Sequence, residues 1–410
     1  MYFSALISYR DCLIISISGN MWQLYLILSL IVLYLVTRAF IKIKFHFWSI
    51  QPVFHIYDIY YWFKPHQIVD AALPEINKYV NLIDIKTKKV EDLTELETSQ
   101  FCNFLKSFYL RSKEANYIPE PHHIMEYLKG SNHPSFVSMY KTPKMLFDSK
   151  SAIIDDELSS VISARPLHVT LKGQKTFPTY YVDNLCVNPG MRKQGVAPKA
   201  IQTLYYHIRR SNEKINTCLF KREGEMTAIV PLTTFTCKGY KLGNIPEVPL
   251  PHASMQVIEI TKQNMTLLAD FIAQRRSHLD CAIVPDVTGI ANMIKSGNIA
   301  VYGIIENGKL ISLYLLRDAA SEYDGKRAME AVSSLNACHH QDIFVSGFTI
   351  AVHRAAKRWK TDLILVDGLA SNGLLTKSIG AEPFLTSPSA FFLYNYATYT
   401  VPPEKCFVFY

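Results

Sequence analysis

The sequence predicts an α+β protein of two halves behind one membrane-spanning helix, and three observations carry that prediction. Near the N-terminus, residues 12–37 hold no charged side chain. Over residues 180–210, YYVDNLCVNPGMRKQGVAPKAIQTLYYHIRR, a strand-like run gives way to a helical one within a few positions. A Pro-spaced tract at 246–252, PEVPLPH, then divides two lengths of chain that each alternate strand and helix patterns. The expected organisation is an anchor over 1–44, with the span at about 21–37, a first half over 45–244 and a second over 245–410.

The anchor is strongest at WQLYLILSLIVLYLV, residues 22–36. With the CLIISIS ahead of it, the stretch reaches the roughly 20 residues that a helix needs to cross a bilayer. Gly19 and Asn20 interrupt it, which places the start of the span near Met21, itself a possible initiator. Arg38, Lys42 and Lys44 follow at once, against Arg10 alone ahead, so the positive-inside rule puts the remaining chain in the cytosol. A cleaved signal peptide would call for a basic start and a small-residue cleavage site, and neither is evident.

Composition narrows the function classes. The 410 residues are 49% hydrophobic and 19% charged, which supplies ample core for two domains. A formal charge of +8, from 43 Lys+Arg against 35 Asp+Glu, suits an anionic cofactor-like ligand or an anionic lipid surface. No Lys/Arg tract points to nucleic acid. The eight cysteines are scattered with no C-x-x-C pair, as expected of reduced thiols. Adjacent His339 and His340 after Cys338 read as a solvated loop rather than a metal site.

Residues 93–128 carry a helical pattern, with Phe101, Phe104, Leu105 and Phe108 on one face. Two strands are expected at 161–166 and 168–171, ahead of the central one. In that strand Tyr180, Tyr181, Val182, Leu185, Cys186 and Val187 are aromatic or apolar, and Asn188, Pro189 and Gly190 end it. The next residues, Arg192, Lys193, Gln194, Gly195, Val196, Ala197 and Pro198, open a helix. Backbone N–H groups at such a terminus converge on one point and suit a pyrophosphate. Gly195 lets the backbone approach, Arg192 and Lys193 add full charges, and Ala197 leaves room over the first turn. Further strands are expected at 215–220, 257–260 and 362–366, helices at 267–275 and 348–359, and a hairpin over 300–316 turning at Asn307 and Gly308.

The R-x-x-G-x-A of this loop resembles the acyl-CoA loop of the GNAT superfamily. The wider LCVNPGMRKQGVAP resembles the LCV-x(4)-R-x(3)-VAP signature of protein N-myristoyltransferases, which carry two GNAT-type halves in one chain. Distant segments agree in order. FHFWSIQPV (45–53) resembles the family's opening Y-x-F-W-x-x-Q-P-V, ISARP (162–166) its I-S-A-x-P, and FFLYNY (391–396) its Y-Y-L-Y-N-W. The resemblance implies two tandem GNAT-like halves. It implies acyl-CoA held by Phe45, His46, Phe47, Trp48 and by Leu185 through Val187 with the 192–198 loop. It implies a peptide acceptor beside Tyr117, Asp183, Lys221, Tyr240 and Tyr314, although Tyr117 reads equally as a packed side chain.

By the same resemblance the reaction is direct transfer of a myristoyl group to an N-terminal glycine. The N–H groups of Asn184 and Leu185 would hold the oxyanion, and the α-carboxylate of Tyr410, carried inward on the last strand, would be the base. Acyl-CoA is then a co-substrate, with no resident cofactor and no metal. The chain departs from the family in three places. Arg111 and Lys113 replace an acidic loop, so a basic acceptor segment would be repelled. Lys221 stands near a family Thr, and Asp183-Asn184 replace Asn-Phe. Two other readings follow from these departures: transfer of another acyl chain or to a Lys side chain, and a membrane-tethered acyl-CoA-binding scaffold without transfer.

Overall fold

The computed structural model describes residues 2–111, 115–148, 151–224 and 228–410, with side chains described outside 2–20 and 143–156. Lys113 of the basic loop lies outside the described residues. The N-terminal helix runs unbroken over Tyr2–Lys44. Gly19 and Asn20 do not interrupt it, because the cost of each in a helix interior is only about 1 kcal/mol or less. Its apolar part, Met21–Lys44, is 24 residues long and projects from the body. That is about 36 Å of helix, enough to cross a bilayer core. Contact with the body begins near its end, where Ile41 is buried and the Arg38 guanidinium lies over the Tyr57 ring.

Among the described residues the body is built on one sixteen-stranded mixed sheet. Strands from either side of residue 245 interleave in it. Thr233–Lys241 lies between Leu363–Asp367 and Leu385–Tyr394, and Cys281–Val284 pairs with the end of Ser151–Leu171. The closing strand Cys406–Val408 runs parallel to Cys281–Val284. Phe407, Val408 and Phe409 are fully buried. A fringe that reads as an apolar edge strand is thus drawn into the core, where its backbone is paired and its side chains leave water.

Elements form where local signals agree. The helix Glu95–Phe108 starts on a capping box between Thr94 and Glu97 and buries Phe101, Phe104 and Leu105. Helix Gln341–Trp359 begins earlier than its pattern suggests and takes in Gln341 and Asp342, leaving Cys338, His339 and His340 just outside. In the Asn307-Gly308 turn both residues have positive φ, 49° and 78°, as a type I′ hairpin requires.

One expectation fails. Residues 161–166 and 168–171 are not two strands but parts of a single one, Ser151–Leu171. Pro166 does not break it. On that edge, pairing with Phe136–Asp148 ends at Ala164 and pairing with Cys281–Val284 begins at His168. Pro166 sits in the gap between two neighbours, where no N–H is needed on that side.

Candidate functional site

The central strand Phe177–Val187 creates the site by parting from its neighbour. It pairs in parallel with Cys218–Glu223 only at Tyr180↔Cys218 and Tyr181↔Leu219. Beyond these pairs the strands diverge, and a cavity of about 880 Å³ opens with residues 182–185 on one wall and 220–223 on the other. This volume falls within the usual range for small-molecule pockets.

On its other side the central strand carries a β-bulge. Val161 faces Cys186 and Ser163 faces Asp183, so Ile162 opposes both Asn184 and Leu185. Asn184 takes φ 57°, a left-handed conformation that Asn tolerates better than most side chains. Its amide side chain donates to Ser163 Oγ at 2.9 Å. Its backbone N–H donates to Asp183 Oδ1 at 2.7 Å. Of the two N–H groups expected to hold the oxyanion, that of Asn184 is thus engaged by Asp183 in this structure.

The strand ends in a tight turn over Pro189–Met191, with Asn188 Oδ1 accepting from the Gly190 N–H. Lys193 and Gly195 take φ 64° and 77°, and Gly195 caps helix Val196–Ser211. A Cβ on Gly195 would meet no atom within 4 Å, so glycine is required there by backbone conformation and not by space. Pro198 falls in the first helical turn, where N–H groups have no intrahelical partner. Arg192, Lys193, Gln194 and Gly195 are exposed. Arg192 is held over the turn, with Nε donating to the Val187 carbonyl at 3.3 Å and its terminal nitrogen to the Phe108 carbonyl at 3.5 Å.

The cavity has two chemically distinct ends. Its apolar wall is formed by Trp48, Ile201, Leu204, Ile208 and Phe220, with Trp48 stacked on Phe220 at 5.5 Å. At the opposite end charged groups gather around Tyr410, which is 2% exposed. Lys221 Nζ lies 3.1 Å from Asp367, 3.6 Å from Glu330 and 3.3 Å from the Tyr410 hydroxyl. Arg317 pairs with Glu330 through two nitrogens and covers the Tyr410 ring at 4.7 Å. Burial pulls the Lys221 ammonium down, but Asp367, Tyr410 and Glu330 outweigh it and hold it well above its ordinary value. Burial likewise opposes ionisation of Glu330, yet Arg317 and Lys221 bring it down to about 2. For Asp367 burial wins over Lys221, helped by Glu330, and lifts the carboxyl to about 7. The Tyr410 phenol is pushed up by burial.

Of the residues expected from sequence, Trp48, Tyr117, Asp183, Asn184, Leu185, Arg192, Lys221 and Tyr410 line this one cavity. Tyr117 does so from a short strand, Ala115–Tyr117, paired with Ser312–Tyr323. Phe45, His46 and Phe47 lie outside it, Phe47 against Tyr79 and His46 against Lys78. Cys186 and Val187 turn their side chains into other clusters. Lys193, Gln194, Gly195, Val196, Ala197 and Pro198 flank the cavity without lining it. Two expectations are corrected. Tyr240 and Tyr314 are core residues, 2% and 1% exposed, in the cluster under helix Gln341–Trp359. Tyr314 donates to the Phe344 carbonyl at 2.6 Å, which satisfies its hydroxyl away from the cavity.

Sequence reasoning missed Arg165, Arg317, Glu330 and Asp367. The available signal was a charge inside an otherwise apolar strand, as in ISARP and LILVD. Glu120, His122 and His123 stand close enough to share a metal ion. His123 is already engaged by the Glu120 N–H and by Asp318.

No protein-family model matches this chain, and no curated protein matches it by sequence. Solved structures do. A crystal structure of Saccharomyces cerevisiae N-myristoyltransferase with bound myristoyl-CoA superposes over 87% of this chain and 94% of its own, with a TM-score of 0.65 at 13% identity. A second structure of the yeast enzyme with bound myristoyl-CoA gives a TM-score of 0.66 over 87% and 89% of the two chains, again at 13% identity. At that identity the likeness is one of fold: the chain folds as an α+β protein of the N-myristoyltransferase type.

Proposed function

We propose that the chain transfers a fatty acyl group, myristoyl by resemblance, from acyl-CoA to the amine of an N-terminal glycine. The observation that carries this reading is the single cavity that runs from the apolar wall under helix Val196–Ser211 to the buried Tyr410. In this reading the 192–198 loop receives the CoA phosphates and the apolar wall receives the acyl chain. The Leu185 N–H polarises the thioester carbonyl. The Asn184 N–H joins it when Asp183 turns from that N–H to the acceptor's ammonium.

The α-carboxylate of Tyr410, the last residue of this sequence, takes a proton from the ammonium. The amine then attacks the thioester carbon, a C–N bond forms and the C–S bond breaks. CoA leaves as thiolate and takes up the second amine proton, so no acyl-enzyme forms. Acyl-CoA is a co-substrate, and the residues call for no resident cofactor. The first half, 45–244, would hold acyl-CoA and the second, 245–410, much of the acceptor. The helix Met21–Lys44 would span a membrane once, with Arg38, Lys42 and Lys44 on the cytosolic side.

Adding one residue after Tyr410 tests the reading. It moves the carboxylate by one residue, about 3.3–3.6 Å. Loss of transfer to a Gly-starting peptide with acyl-CoA binding retained is the expected outcome. Undiminished transfer by the extended protein rules the carboxylate out as base. One observation favours a second reading, transfer to a different acceptor: Arg111 lines the cavity where an acidic loop was expected. Acylation of internal-Lys peptides in preference to Gly-starting ones would select it.

A further inference from the structure

One charged group at the acceptor end has no carboxylate partner among the described residues. Arg165 is 5% exposed and lines the cavity. Its guanidinium is held between two rings, 5.3 Å from the centre of Tyr127 and 5.2 Å from that of Tyr181. Its only acceptor among the described residues is the Met293 sulfur, 3.9 Å away, a weak one. No carboxylate lies within ion-pair distance of it among the described residues, in contrast to Arg317 and Lys221 nearby. Beside it Tyr127 also lines the cavity, and its hydroxyl is buried with no hydrogen-bond partner among the described residues. A buried guanidinium with only a weak acceptor and a buried phenol with none are costly to leave so.

The backbone explains why they are held there. Arg165 faces Tyr181 across the sheet, and two residues back Ser163 faces Asp183. Arg165 and Asp183 therefore stand on one face as diagonal neighbours, about 7 Å apart at the Cβ atoms. On its outer edge Arg165 begins the 165–167 gap between two partner strands. Burial draws the guanidinium down from its ordinary value, and Tyr181 and Asp183 oppose that.

We propose that Arg165 and the Tyr127 hydroxyl form a carboxylate-receiving subsite that selects acceptors bearing a carboxylate within about one residue of the reacting amine. The assignment rests on the acyl-transfer reading, with the amine beside Asp183. The carboxylate comes from an acidic side chain at the second position, or from the C-terminus of a very short acceptor.

The test uses the full chain in detergent with myristoyl-CoA and paired peptides that begin Gly-Glu or Gly-Gln, together with Gly-Gly and its amide. The carboxylate acceptor is expected to exceed its amide in kcat/KM by roughly ten- to a hundredfold, mainly through KM. Arg165→Met should bring that ratio to about one. Arg165→Lys, which keeps the charge and loses the planar fork, should leave an intermediate ratio. Myristoyl-CoA affinity of each variant reports that it is folded. Discrimination confined to the Gly-Gly pair retains the subsite and assigns the carboxylate to a short acceptor. Equal use of both members of each pair, an unchanged ratio in Arg165→Met, or a loss of myristoyl-CoA affinity in that variant alone overturns the proposal. If no acceptor is acylated, the acyl-transfer reading fails. Calorimetric binding of the same peptide pairs to the myristoyl-CoA-loaded protein then decides the subsite, with equal affinities overturning it.

Discussion

Replacing Lys221 by Met removes a cation that faces two buried carboxylates and the exposed Glu223. Lys221 is 13% exposed, whereas Asp367 and Glu330 are 0% and 6% exposed. Removing one member of a buried ion pair costs about 3–5 kcal/mol, and the cavity on one side of Lys221 argues for the lower figure, about 3 kcal/mol at pH 8. The cost depends on pH, with a sign that Asp367 sets. Its carboxyl is raised to about 7, so the folded chain holds this proton more tightly than the unfolded one. That contribution is complete below the unfolded value near 4 and is lost as pH rises through about 7.

At pH 6 Asp367 is therefore already largely protonated, and losing Lys221 removes less. At pH 8 the native carboxylate is ionised, and the variant must either leave it unpaired or protonate it one unit above its native value, which adds about 1.4 kcal/mol. An unfolding entropy of about 2.1 cal/mol/K per residue, taken over a chain of this length, gives about 0.9 kcal/mol/K. The expected fall in Tm is thus about 3–4 °C at pH 8 and about 1.5 °C smaller at pH 6. Thermal unfolding of the detergent-solubilised protein at the two pH values, followed by intrinsic fluorescence, measures it. Equal shifts at both pH values, or a larger one at pH 6, would refute the assignment of Asp367 as the group raised by burial.

Other perturbations have equally direct outcomes. Gly195→Ala places a Cβ on a residue at φ 77°. It should cost about 1–2 kcal/mol and weaken acyl-CoA binding, read by thermal unfolding and calorimetry together. Removal of residues 1–40 leaves Ile41 and its buried contact in place. The truncated chain should stay in the supernatant when vesicles are sedimented, while the full chain pellets, and pelleting of both would show that the body binds lipid without the helix.

Local chemistry was legible where it is short-range. The strand-to-helix change at 180–210 and the Asn307-Gly308 hairpin turn depend on φ, on N–H supply and on side chains a few residues apart. Such features are written in neighbouring residues. Helix and strand positions in the second half followed for the same reason, from apolar spacing against a buried face. The resemblance carried further, and the fold agrees with it.

The composition of the cavity's charged end was not legible. Lys221, Arg317, Glu330 and Asp367 come from four strands, Cys218–Glu223, the hairpin strands Ser312–Tyr323 and Lys326–Asn336, and Leu363–Asp367, and only sheet order brings them together. Tyr240 and Tyr314 show the converse. Their identities suited a groove, but strand parity turned both rings into the core. What the sequence determined by itself was the apolar N-terminal helix, the turn chemistry of the loop and the alternation of elements, because each is a property of residues close in the chain. What only the tertiary structure decided was which charges meet, which remain unpaired and where Pro166 is tolerated, because partners far apart in sequence set the local dielectric and the pairing on each strand edge.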